Sequence, residues 1–529
     1  MLVLQNITYI HSNKDVLFAN IYLTLNKHEH IALIGNNGVG KSTLLQLMAG
    51  QLEPCEGSIV SDFTPYYIPQ ITGQFNACTI AEALQVNDKL DALKCILAGE
   101  GTEEQLNILA DDWVIEERCL EALRYWGLEK FDFTQKMETL SGGEKTKVFL
   151  AGIMIHKPDI ILMDEPSNHL DIESREKLYA FIESTSSALA IVSHDRMLLN
   201  LLNTICELHK DGITVYGGNY GFYTEQKRIE NTALNLDIKN KERTLRKAKE
   251  VERETMERQQ KLDARGKKKQ EKSGLPTISM KTFKNNAEKS TARTKDIHAE
   301  KIQSVSTELS QLRNELPDAD KMKFCFDQSW LHKGKVLISA KGINVCFEAQ
   351  LLWKDAANVE LLSGERVVIK GRNGSGKTTL VKILLGEMQP YAGTVKTIIG
   401  KAIYIDQEYS LINNSMNVYE QAQAFNDTGL QEHEIKTRLN RFLFTKNYWD
   451  KTCSALSGGE KMRLLLCCLT ILNQAPDIIV LDEPTNNLDI QNIEILTQAI
   501  NAYEGSLLVI SHDIYFMEQI RVERTIELI

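Results

Sequence analysis

The chain of 529 residues lacks the features that mark membrane-spanning and secreted proteins. No apolar run reaches the roughly 18 residues that a membrane helix needs. The ten cysteines include no Cys-x-x-Cys pair, and the residues after Met1 do not have the pattern of a secretion signal. We therefore expect a cytoplasmic protein whose thiols are reduced.

The chain also has no overall excess of basic residues, because 61 Lys and Arg residues are outnumbered by 71 Asp and Glu residues and the net charge is −10. The charges are unevenly distributed. Residues 224–300 contain 21 basic and 13 acidic residues, and within 258–295 the numbers are 12 and 3. An acidic body thus carries one basic segment. The length suits three or four domain-sized units, each able to bury a core.

What the sequence does contain is a duplicated set of motifs. GNNGVGKS at Gly35–Ser42 and GRNGSGKT at Gly371–Thr378 are each followed by LSGGE, by an apolar run ending in Asp-Glu-Pro, and by Ser-His-Asp. The two halves stay in register except in one interval. From Gln70 to Ser141 the first half uses 71 positions, whereas the matching interval of the second half has 50. We therefore expect a small insertion within 80–127.

Each glycine-rich segment has the context of a loop that cradles phosphates. An apolar strand runs into the first glycine, and a helix is predicted to begin near the lysine. Glycines let backbone N–H groups approach phosphate, the helix N-terminus adds partial positive charge, and Lys41 or Lys377 reaches the outer phosphates. A glycine turn that merely joins strand to helix is the alternative for one loop, and the duplication argues against it. The predicted nucleotide-binding residues of the loops are Gly35, Asn36, Asn37, Gly38, Val39, Gly40, Lys41, Ser42 and Thr43, and Gly371, Arg372, Asn373, Gly374, Ser375, Gly376, Lys377, Thr378 and Thr379.

Two further apolar strands, Ile160–Met163 and Ile478–Leu481, are predicted to end in pairs of carboxylates. Such a pair suits two tasks, the orientation of Mg²⁺ and the polarisation of the water that attacks the γ-phosphate. The catalytic candidates are the second carboxylate of each pair and the histidine of each Ser-His-Asp, namely Glu165, Glu483, His194 and His512. The magnesium candidates are the loop hydroxyls, the first carboxylates and a glutamine after a tyrosine-containing strand, namely Ser42, Gln70, Asp164, Thr378, Gln407 and Asp482.

The LSGGE segments at Leu140–Glu144 and Leu456–Glu460 match the signature of the ABC ATPases, and the chain resembles that family. The resemblance implies ATP and Mg²⁺ as ligands, with each ATP sandwiched between the phosphate loop of one half and the signature of the other. The signature residues implied are Ser141, Gly142 and Gly143, and Ser457, Gly458 and Gly459. In the family an aromatic residue stacks on the adenine of ATP. The resemblance implies Tyr9 for this role in the first half and Phe347 in the second half. Either ring can instead be a core aromatic.

Two fused ATPase domains without membrane spans narrow the resemblance to the ABC-F proteins, soluble factors that bind the tRNA exit site of the ribosome. The resemblance rests on DEPSNHLD at Asp164–Asp171, on YGGNY at Tyr216–Tyr220 and on the charged segment beyond, and it covers almost the whole chain. Asn487 departs from the family, in which a histidine often stands at that position. Some members of the family contact the ribosome through an arm or a basic C-terminal tail. The insertion here is short for such an arm, and we expect no basic tail after the second half. The resemblance therefore does not imply these contacts for this chain.

The charged segment has the composition of a long helical hairpin. Residues 224–265 are rich in Glu, Lys, Arg, Gln and Ala and contain no Pro or Gly. Gly266, Gly274 and Pro276 mark the predicted turn region. A returning helix with a coiled-coil seam, closed by Pro317, is predicted from the spacing of Ile302, Val305, Leu309, Leu312 and Leu316.

Basic residues gather around that turn, and they suit the phosphates of RNA. The alternative is a solvated spacer that only tethers the domains. The RNA-binding candidates are Lys267, Lys268, Lys269, Lys272, Lys281 and Lys284.

We therefore predict an α/β fold of two ABC-type phosphate-loop ATPase domains, 1–223 and 317–529, joined by a long α-helical hairpin linker, 224–316. The expected function is ATP hydrolysis with ribosome binding through rRNA and tRNA, in general translation or in protection from antibiotics, with the halves pairing within one chain. Two other functions stay open. One is an ATPase subunit of a transporter with a separate membrane partner, and the other is DNA maintenance, for which this linker is short.

Overall fold

The computed structural model describes residues 1–11, 14–70, 73–270, 277–316, 322, 334–347, 350–371, 374–427, 429–486 and 488–528. The predictions at Lys272, Gly274, Pro276, Pro317, Arg372, Asn373 and Asn487 lie outside these residues. The backbone is described, but the side chains are not, at Lys267, Lys268, Lys269, Lys281, Lys284 and Phe347. The chain forms two compact units, Met1–Tyr223 with Met322–Ile529, and Thr224–Lys321.

The first half alternates strands and helices. Its strands are β1 (Leu2–Ile10), β2 (Val16–Leu25), β3 (His30–Ile34), β4 (Glu56–Ser61), β5 (Tyr66–Ile68), β6 (Ile160–Asp164), β7 (Ala188–Val192), β8 (Thr204–His209) and β9 (Gly212–Tyr216). Its helices are α1 (Lys41–Met48), α2 (Ile80–Ala83), α3 (Asn87–Leu97), α4 (Glu103–Leu109), α5 (Ile115–Tyr125), α6 (Gly142–His156), α7 (Ile172–Ser184) and α8 (Arg196–Asn200). The order β5-β6-β7-β3-β8-β9 forms one sheet, parallel except at β9, and β2-β1-β4 form a second, antiparallel sheet.

The second half follows two long helices, α9 (Tyr220–Gln270) and α10 (Thr277–Glu315). Its strands are β10 (Val336–Asn344), β11 (Cys346–Phe347), β12 (Gln350–Leu351), β13 (Ala357–Leu362), β14 (Arg366–Gly371), β15 (Ala392–Thr397), β16 (Ala402–Ile405), β17 (Ile478–Asp482), β18 (Ser506–Ile510) and β19 (Arg524–Leu528). Its helices are α11 (Lys377–Leu384), α12 (Val418–Ala424), α13 (Glu432–Arg441), α14 (Gly458–Ile471), α15 (Ile490–Ala502) and α16 (Ile514–Gln519). The order β16-β17-β18-β14-β19 forms a parallel sheet, β13-β10-β15 an antiparallel one, and β11 pairs with β12.

The parallel sheets are buried on both faces, which explains why their strands read as continuous apolar runs. Along β6 the side chains alternate between two cores. Ile161 and Met163 join the core that includes α6, whereas Ile160 and Leu162 join the core that includes α1. Every residue of β7 and of β18 is buried. This arrangement brings the carboxyl ends of the strands together at one edge of each sheet, where ligands usually bind.

The extra residues of the first half lie in α3 and α4. Between the strand before Gln70 and the signature helix, the first half has α2, α3, α4 and α5, and the described part of the second half has α12 and α13. The end of α4 is tied to its neighbours by Asp112, which pairs with Arg118 at 2.6 Å and with Lys89 at 3.1 Å. The added helices are thus anchored to the domain by ion pairs as well as by packing.

The linker helices differ from the prediction at the turn. α9 continues through Gly266 to Gln270, so Gly266 does not belong to the turn, and the lysines that follow it lie in the last turns of the helix. One glycine costs a helix only about 1 kcal/mol, and strong helix formers surround it here. Of the predicted seam, Leu309 is buried, and the other four residues are half-buried. Throughout the described residues, every helix is too short or too polar to cross a lipid bilayer.

Candidate active sites

The first glycine loop connects β3 to α1. Gly38 and Gly40 have φ angles of 80° and 103°, which residues with a side chain rarely adopt. A Cβ atom on Gly40 would lie 2.7 Å from Phe18 Cε1, so glycine lets the loop approach β2 this closely. The loop thereby places the N-terminus of α1 where a phosphate group is favoured.

The loop lysines occupy matching positions in the two halves. Lys41 Nζ donates to Gly35 O at 2.7 Å and to Asn36 O at 3.3 Å. Lys377 Nζ donates to Gly371 O at 2.8 Å. Burial lowers the pKa of both lysines, and nearby carboxylates oppose this effect. Each ammonium group is thus held at the loop by its carbonyl oxygens and by acidic neighbours.

The first carboxylate of each predicted pair lies at the end of β6 or β17. Thr378 Oγ1 donates to Asp482 Oδ2 at 3.0 Å, and Tyr404 OH donates to the same oxygen at 2.7 Å. In the first half, Ser42 and Tyr67 hydrogen-bond to Asp164, and burial raises the pKa of Asp164 to about 6. The structure therefore brings the loop hydroxyl and the carboxylate together in both halves.

The second carboxylate of each pair meets the predicted histidine. Glu165 Oε1 lies 3.4 Å from His194 Nε2, and Glu483 Oε1 lies 3.3 Å from His512 Nε2. The His194 backbone N–H also donates to Glu165 Oε2 at 3.3 Å. The four candidate catalytic side chains thus form one glutamate–histidine pair in each half.

Burial dominates the electrostatics of these pairs. It raises the pKa of Glu165, where the Asp164 carboxylate adds to the effect and Lys41 opposes it. It also raises the pKa of Glu483 to about 7, and here the strongest opposing group is the Arg175 guanidinium. Burial lowers the pKa of His194 well below its usual value and that of His512 to about 4. Both histidines are therefore neutral near pH 7 and able to donate one hydrogen bond.

A cavity of 310 Å³ lies at the first loop. Lys41, Ser42, Gln70, Asp164 and Glu165 line it, so the predicted nucleotide, metal and catalytic residues of this half share one space. The second cavity has the matching set, and its described lining includes Lys377, Thr378, Gln407, Asp482 and Glu483. Both predicted glutamines thus reach the same cavity as the carboxylates.

Tyr9, the residue predicted to stack on adenine, lies near the end of β1. Tyr9 does not belong to the described lining of the first cavity, whereas His11 and Leu17 do. The Tyr9 ring packs 6.2 Å from Phe18 and 5.8 Å from His11, centroid to centroid. The Tyr9 ring is half-buried and packs against the core that includes α1, and its contact with adenine stays a prediction.

Each signature serine caps the helix that follows it. Ser141 and Glu144 form a reciprocal capping box at α6, and Ser457 and Glu460 form the same box at α14. The glycines behind them pack tightly. A Cβ atom on Gly143 would lie 2.5 Å from His169 O.

Contacts between the halves join the first loop to the neighbourhood of the second signature. The Asn37 backbone N–H donates to Asp489 Oδ2 at 2.9 Å, and Asp489 Oδ1 accepts the Asn492 N–H at 2.8 Å. A Cβ atom on Gly459 would meet the Asn492 side chain at 2.2 Å. Successive contacts across the interface therefore connect the first glycine loop, through Asp489 and Asn492, to the second signature.

Three residues of this region were missed by the sequence analysis, namely Asp489, its counterpart Asp171, and Arg175. Asp171 and Asp489 cap α7 and α15. They occupy matching places after Asn-His-Leu and Asn-Asn-Leu, so the duplication itself was the available signal. Arg175 has no matching arginine, and no sequence signal marks it.

Comparisons with known proteins agree with this geometry. The family model described as ABC transporter matches residues 18–168 and 355–486, more than half of the chain. The ATP-binding protein YdiF of Bacillus subtilis is 31% identical over 97% of this chain and 78% of its own length. ABC transporter F family member 5 of Arabidopsis thaliana is 28% identical over 99% of this chain and 74% of its own length.

One solved structure extends the likeness in fold across both halves. The archaeal ribosome recycling factor aABCE1, in complex with the ribosomal stalk protein aP1, matches with a TM-score of 0.61 at 19% identity. The match covers 99% of this chain and 87% of the other. The predicted fold class, two ABC ATPase domains joined by a helical linker, is confirmed. The chain is an ATP-binding ATPase, and it belongs to the ABC-F group of the ABC family.

Proposed function

We propose that this ATPase binds the ribosome at the tRNA exit site and there modulates translation or protects it from antibiotics. Its working parts are the domains 1–223 and 317–529, which close on ATP, and the hairpin 224–316, which contacts rRNA and tRNA. It acts in the cytoplasm. After hydrolysis the halves separate and the protein leaves the ribosome.

The observation that carries this proposal is the basic hairpin between the ATPase domains. Two helices of 51 and 39 residues form it. Residues 258–295 contain 12 basic and 3 acidic residues in a chain whose net charge is −10. An acidic protein is repelled by RNA overall, so a local basic excess where α9 ends and α10 begins supports recognition of RNA phosphates there.

The residues at each carboxylate suit Mg²⁺. Hard oxygen donors are available in both halves, from Ser42 or Thr378, from Asp164 or Asp482, and from Gln70 or Gln407. Within the described residues, His, Cys, Asp and Glu form no cluster able to hold a metal ion by themselves. Mg²⁺ commonly takes only one or two protein ligands together with phosphate oxygens. When bound, the ion neutralises charge on the phosphates.

Hydrolysis in this proposal depends on the glutamate–histidine pairs. The oxygen of water bonds to the γ-phosphorus, the bond from that phosphorus to the bridging oxygen breaks, and ADP leaves with the electron pair. Glu165 or Glu483 accepts the proton of the water. His194 or His512, neutral and buried beside the glutamate, donates a hydrogen bond to the γ-phosphate as its charge develops. Lys41 or Lys377 and the loop glycines hold the other phosphate oxygens.

Co-sedimentation tests the proposal. The Glu165→Gln/Glu483→Gln protein binds ATP and hydrolyses it several orders of magnitude more slowly, so it stays closed and pellets with ribosomes through sucrose in the presence of ATP. A tip variant adds Lys→Glu at Lys267, Lys268, Lys269, Lys272, Lys281 and Lys284. A matched control carries the same charge change at six exposed basic residues nearer the base of α9, namely Lys239, Arg243, Arg246, Lys247, Lys249 and Arg253.

We expect the Glu165→Gln/Glu483→Gln protein, the parent of both variants, to pellet together with the control, and the tip variant to stay in the supernatant. Ribosome binding of the parent should fall steeply as the salt concentration rises. Failure of the parent to pellet would exclude ribosome binding. If it pellets with membranes instead, the transporter-subunit alternative is favoured. Equal pelleting of parent and tip variant at every salt concentration means that the hairpin is a spacer.

A further inference from the structure

A tyrosine lies beside the first carboxylate of the pair in each half. The parallel register of β5 with β6 puts Tyr67 opposite the residue two places before Asp164. The register of β16 with β17 puts Tyr404 opposite the residue two places before Asp482. Because successive side chains point to opposite faces of a strand, each tyrosine lies on the same face of its sheet as the aspartate.

The phenol group of each tyrosine contacts its aspartate. Tyr404 OH donates to Asp482 Oδ2 at 2.7 Å, and Thr378 Oγ1 donates to the same oxygen at 3.0 Å. In the first half, the matching tyrosine and the loop serine hydrogen-bond with Asp164. An aspartate carboxylate rotates readily about its χ2 bond unless hydrogen-bond partners fix it. Two donors, one from the neighbouring strand and one from the glycine loop, therefore fix the orientation of each carboxylate.

The second oxygen of the first-half aspartate is left without a donor. Asp164 is 2% exposed, and its Oδ1 has no hydrogen-bond partner among the residues that the structure describes. Buried charges in proteins are normally paired or coordinate a metal ion. Asp164 lines the first cavity together with Ser42 and Gln70, which also offer the hard oxygen donors that Mg²⁺ prefers. The unpartnered oxygen therefore suits the metal.

The duplication distinguishes the role of the hydroxyl group from that of the ring. β5 contains a second tyrosine, Tyr66, whose OH donates to Phe149 O at 3.0 Å, and the matching residue of β16 is Ile403. Only the tyrosine beside the aspartate therefore recurs. The rings of Tyr67 and Tyr404 pack against the cores that include α1 and α11, and a phenylalanine ring could do the same. The hydroxyl group is needed for the contact with the aspartate.

We propose that Tyr67 and Tyr404 are positioning residues for Mg²⁺ at the two ATP sites, because their hydroxyl groups hold Asp164 and Asp482 in the orientation that presents one carboxylate oxygen to the metal. Neither tyrosine belongs to the described lining of the two cavities, so each acts through its aspartate. The proposal rests on the assignment of Mg²⁺ to these aspartates given above. Loss of a residue that orients a metal ligand typically weakens metal affinity 10- to 100-fold.

The dependence of ATP binding on Mg²⁺ tests this proposal. The parent is the Glu165→Gln/Glu483→Gln protein, on which radiolabelled ATP is retained and measured at rising concentrations of free Mg²⁺ and in EDTA. Addition of Tyr67→Phe and Tyr404→Phe should raise the Mg²⁺ concentration for half-maximal retention about tenfold or more. The Kd for ATP in EDTA should change less than about twofold, because the glycine loops and their lysines bind the phosphates without the tyrosines.

A matched control carries Tyr66→Phe and Tyr503→Phe, which remove one phenol hydrogen bond from each half, to Phe149 O and to Pro476 O. The control should retain ATP at the same Mg²⁺ concentration as the parent. An unchanged Mg²⁺ midpoint in the test variant, an equal shift in the control, or an equal weakening of ATP binding in EDTA overturns the proposal. If the parent retains ATP equally with and without Mg²⁺, the assignment of the metal to the aspartates fails, and this is seen before any tyrosine is changed.

Discussion

At the scale of single residues, the candidate catalytic glutamates hold a strained backbone. Glu165 and Glu483 have φ angles of 51° and 48°, in the left-handed region that glutamate rarely enters. Their backbone N–H groups donate to Val192 O and Ile510 O, each at 2.8 Å, on the strands that precede the histidines. Such strain persists only when the surroundings fix it, and it is typical of functional sites. The hydrogen bond to the histidine strand is what fixes it here.

The signature glycines provide a prediction at this scale. Gly143→Ala places a Cβ atom 2.5 Å from the backbone oxygen of His169, which cannot move alone, whereas the Cβ of Gly459→Ala meets the side chain of Asn492. We expect Gly143→Ala to lower the free energy of unfolding by about 2 kcal/mol. Gly459→Ala should lower it by about 1 kcal/mol or less, because the Asn492 side chain can adopt another rotamer, with loss of its hydrogen bond to Asp489 Oδ1, and alanine favours the helix. Thermal unfolding of the two variants without nucleotide measures the difference, and equal shifts in Tm would contradict it.

The residues that would lie together could be predicted from the sequence, because two occurrences of a motif at one spacing rarely arise by chance. The structure brings together Lys41, Glu165 and His194 in this way, and likewise their counterparts. The place of the Tyr9 ring was not predictable, since strand β1 directs alternate side chains to opposite faces and the register with β2 is irregular there. Arg175 was missed for the opposite reason, because it occurs only once.

At the scale of elements, strands were predicted to within one or two residues because their apolar runs coincide with the buried parallel sheet. The turn of the linker was predicted less well. α9 passes through Gly266, which was predicted to belong to the turn, and ends at Gln270. Composition indicates that a helix exists, but its ends depend on packing that composition does not record.

The seam of the linker supplies the prediction for this scale. Leu309 is 4% exposed in α10, and Ile238 of α9 is 7% exposed, whereas the other described residues of 224–316 are half-buried or exposed. Leu309→Ala should remove about 2–3 kcal/mol of local stability, since it opens a cavity among few apolar contacts. Hydrogen exchange of the 224–316 segment should then become faster, with the ATPase domains unchanged. Ser310→Ala, at the exposed neighbour, is the control, and unchanged exchange in Leu309→Ala would show that the seam does not hold the hairpin together.

At the scale of the whole molecule, hydrogen bonds that involve side chains join the ATPase halves in the part of the chain that the structure describes. Asn37 N–H donates to Asp489 Oδ2 at 2.9 Å, and Asn200 Nδ2 donates to Tyr515 OH at 3.2 Å. Asn200 Oδ1 also accepts the Gly221 N–H at 2.9 Å, in the first turn of α9. One side chain thus contacts both the second half and the first turn of α9.

Because each direct hydrogen bond adds only about 1 kcal/mol, we expect closure of the halves to depend on ATP bound between them. We expect ATP to reduce the radius of gyration of the Glu165→Gln/Glu483→Gln protein in small-angle scattering. Ser141→Arg or Ser457→Arg added to it should prevent this compaction while nucleotide still binds the phosphate loops, since a long cation at the signature blocks approach of the opposite half. Ser184→Arg, the same change at an exposed position of α7, should compact like the parent. If ATP leaves the radius of the parent unchanged, ATP does not join the halves, and presentation of the hairpin must be controlled in another way.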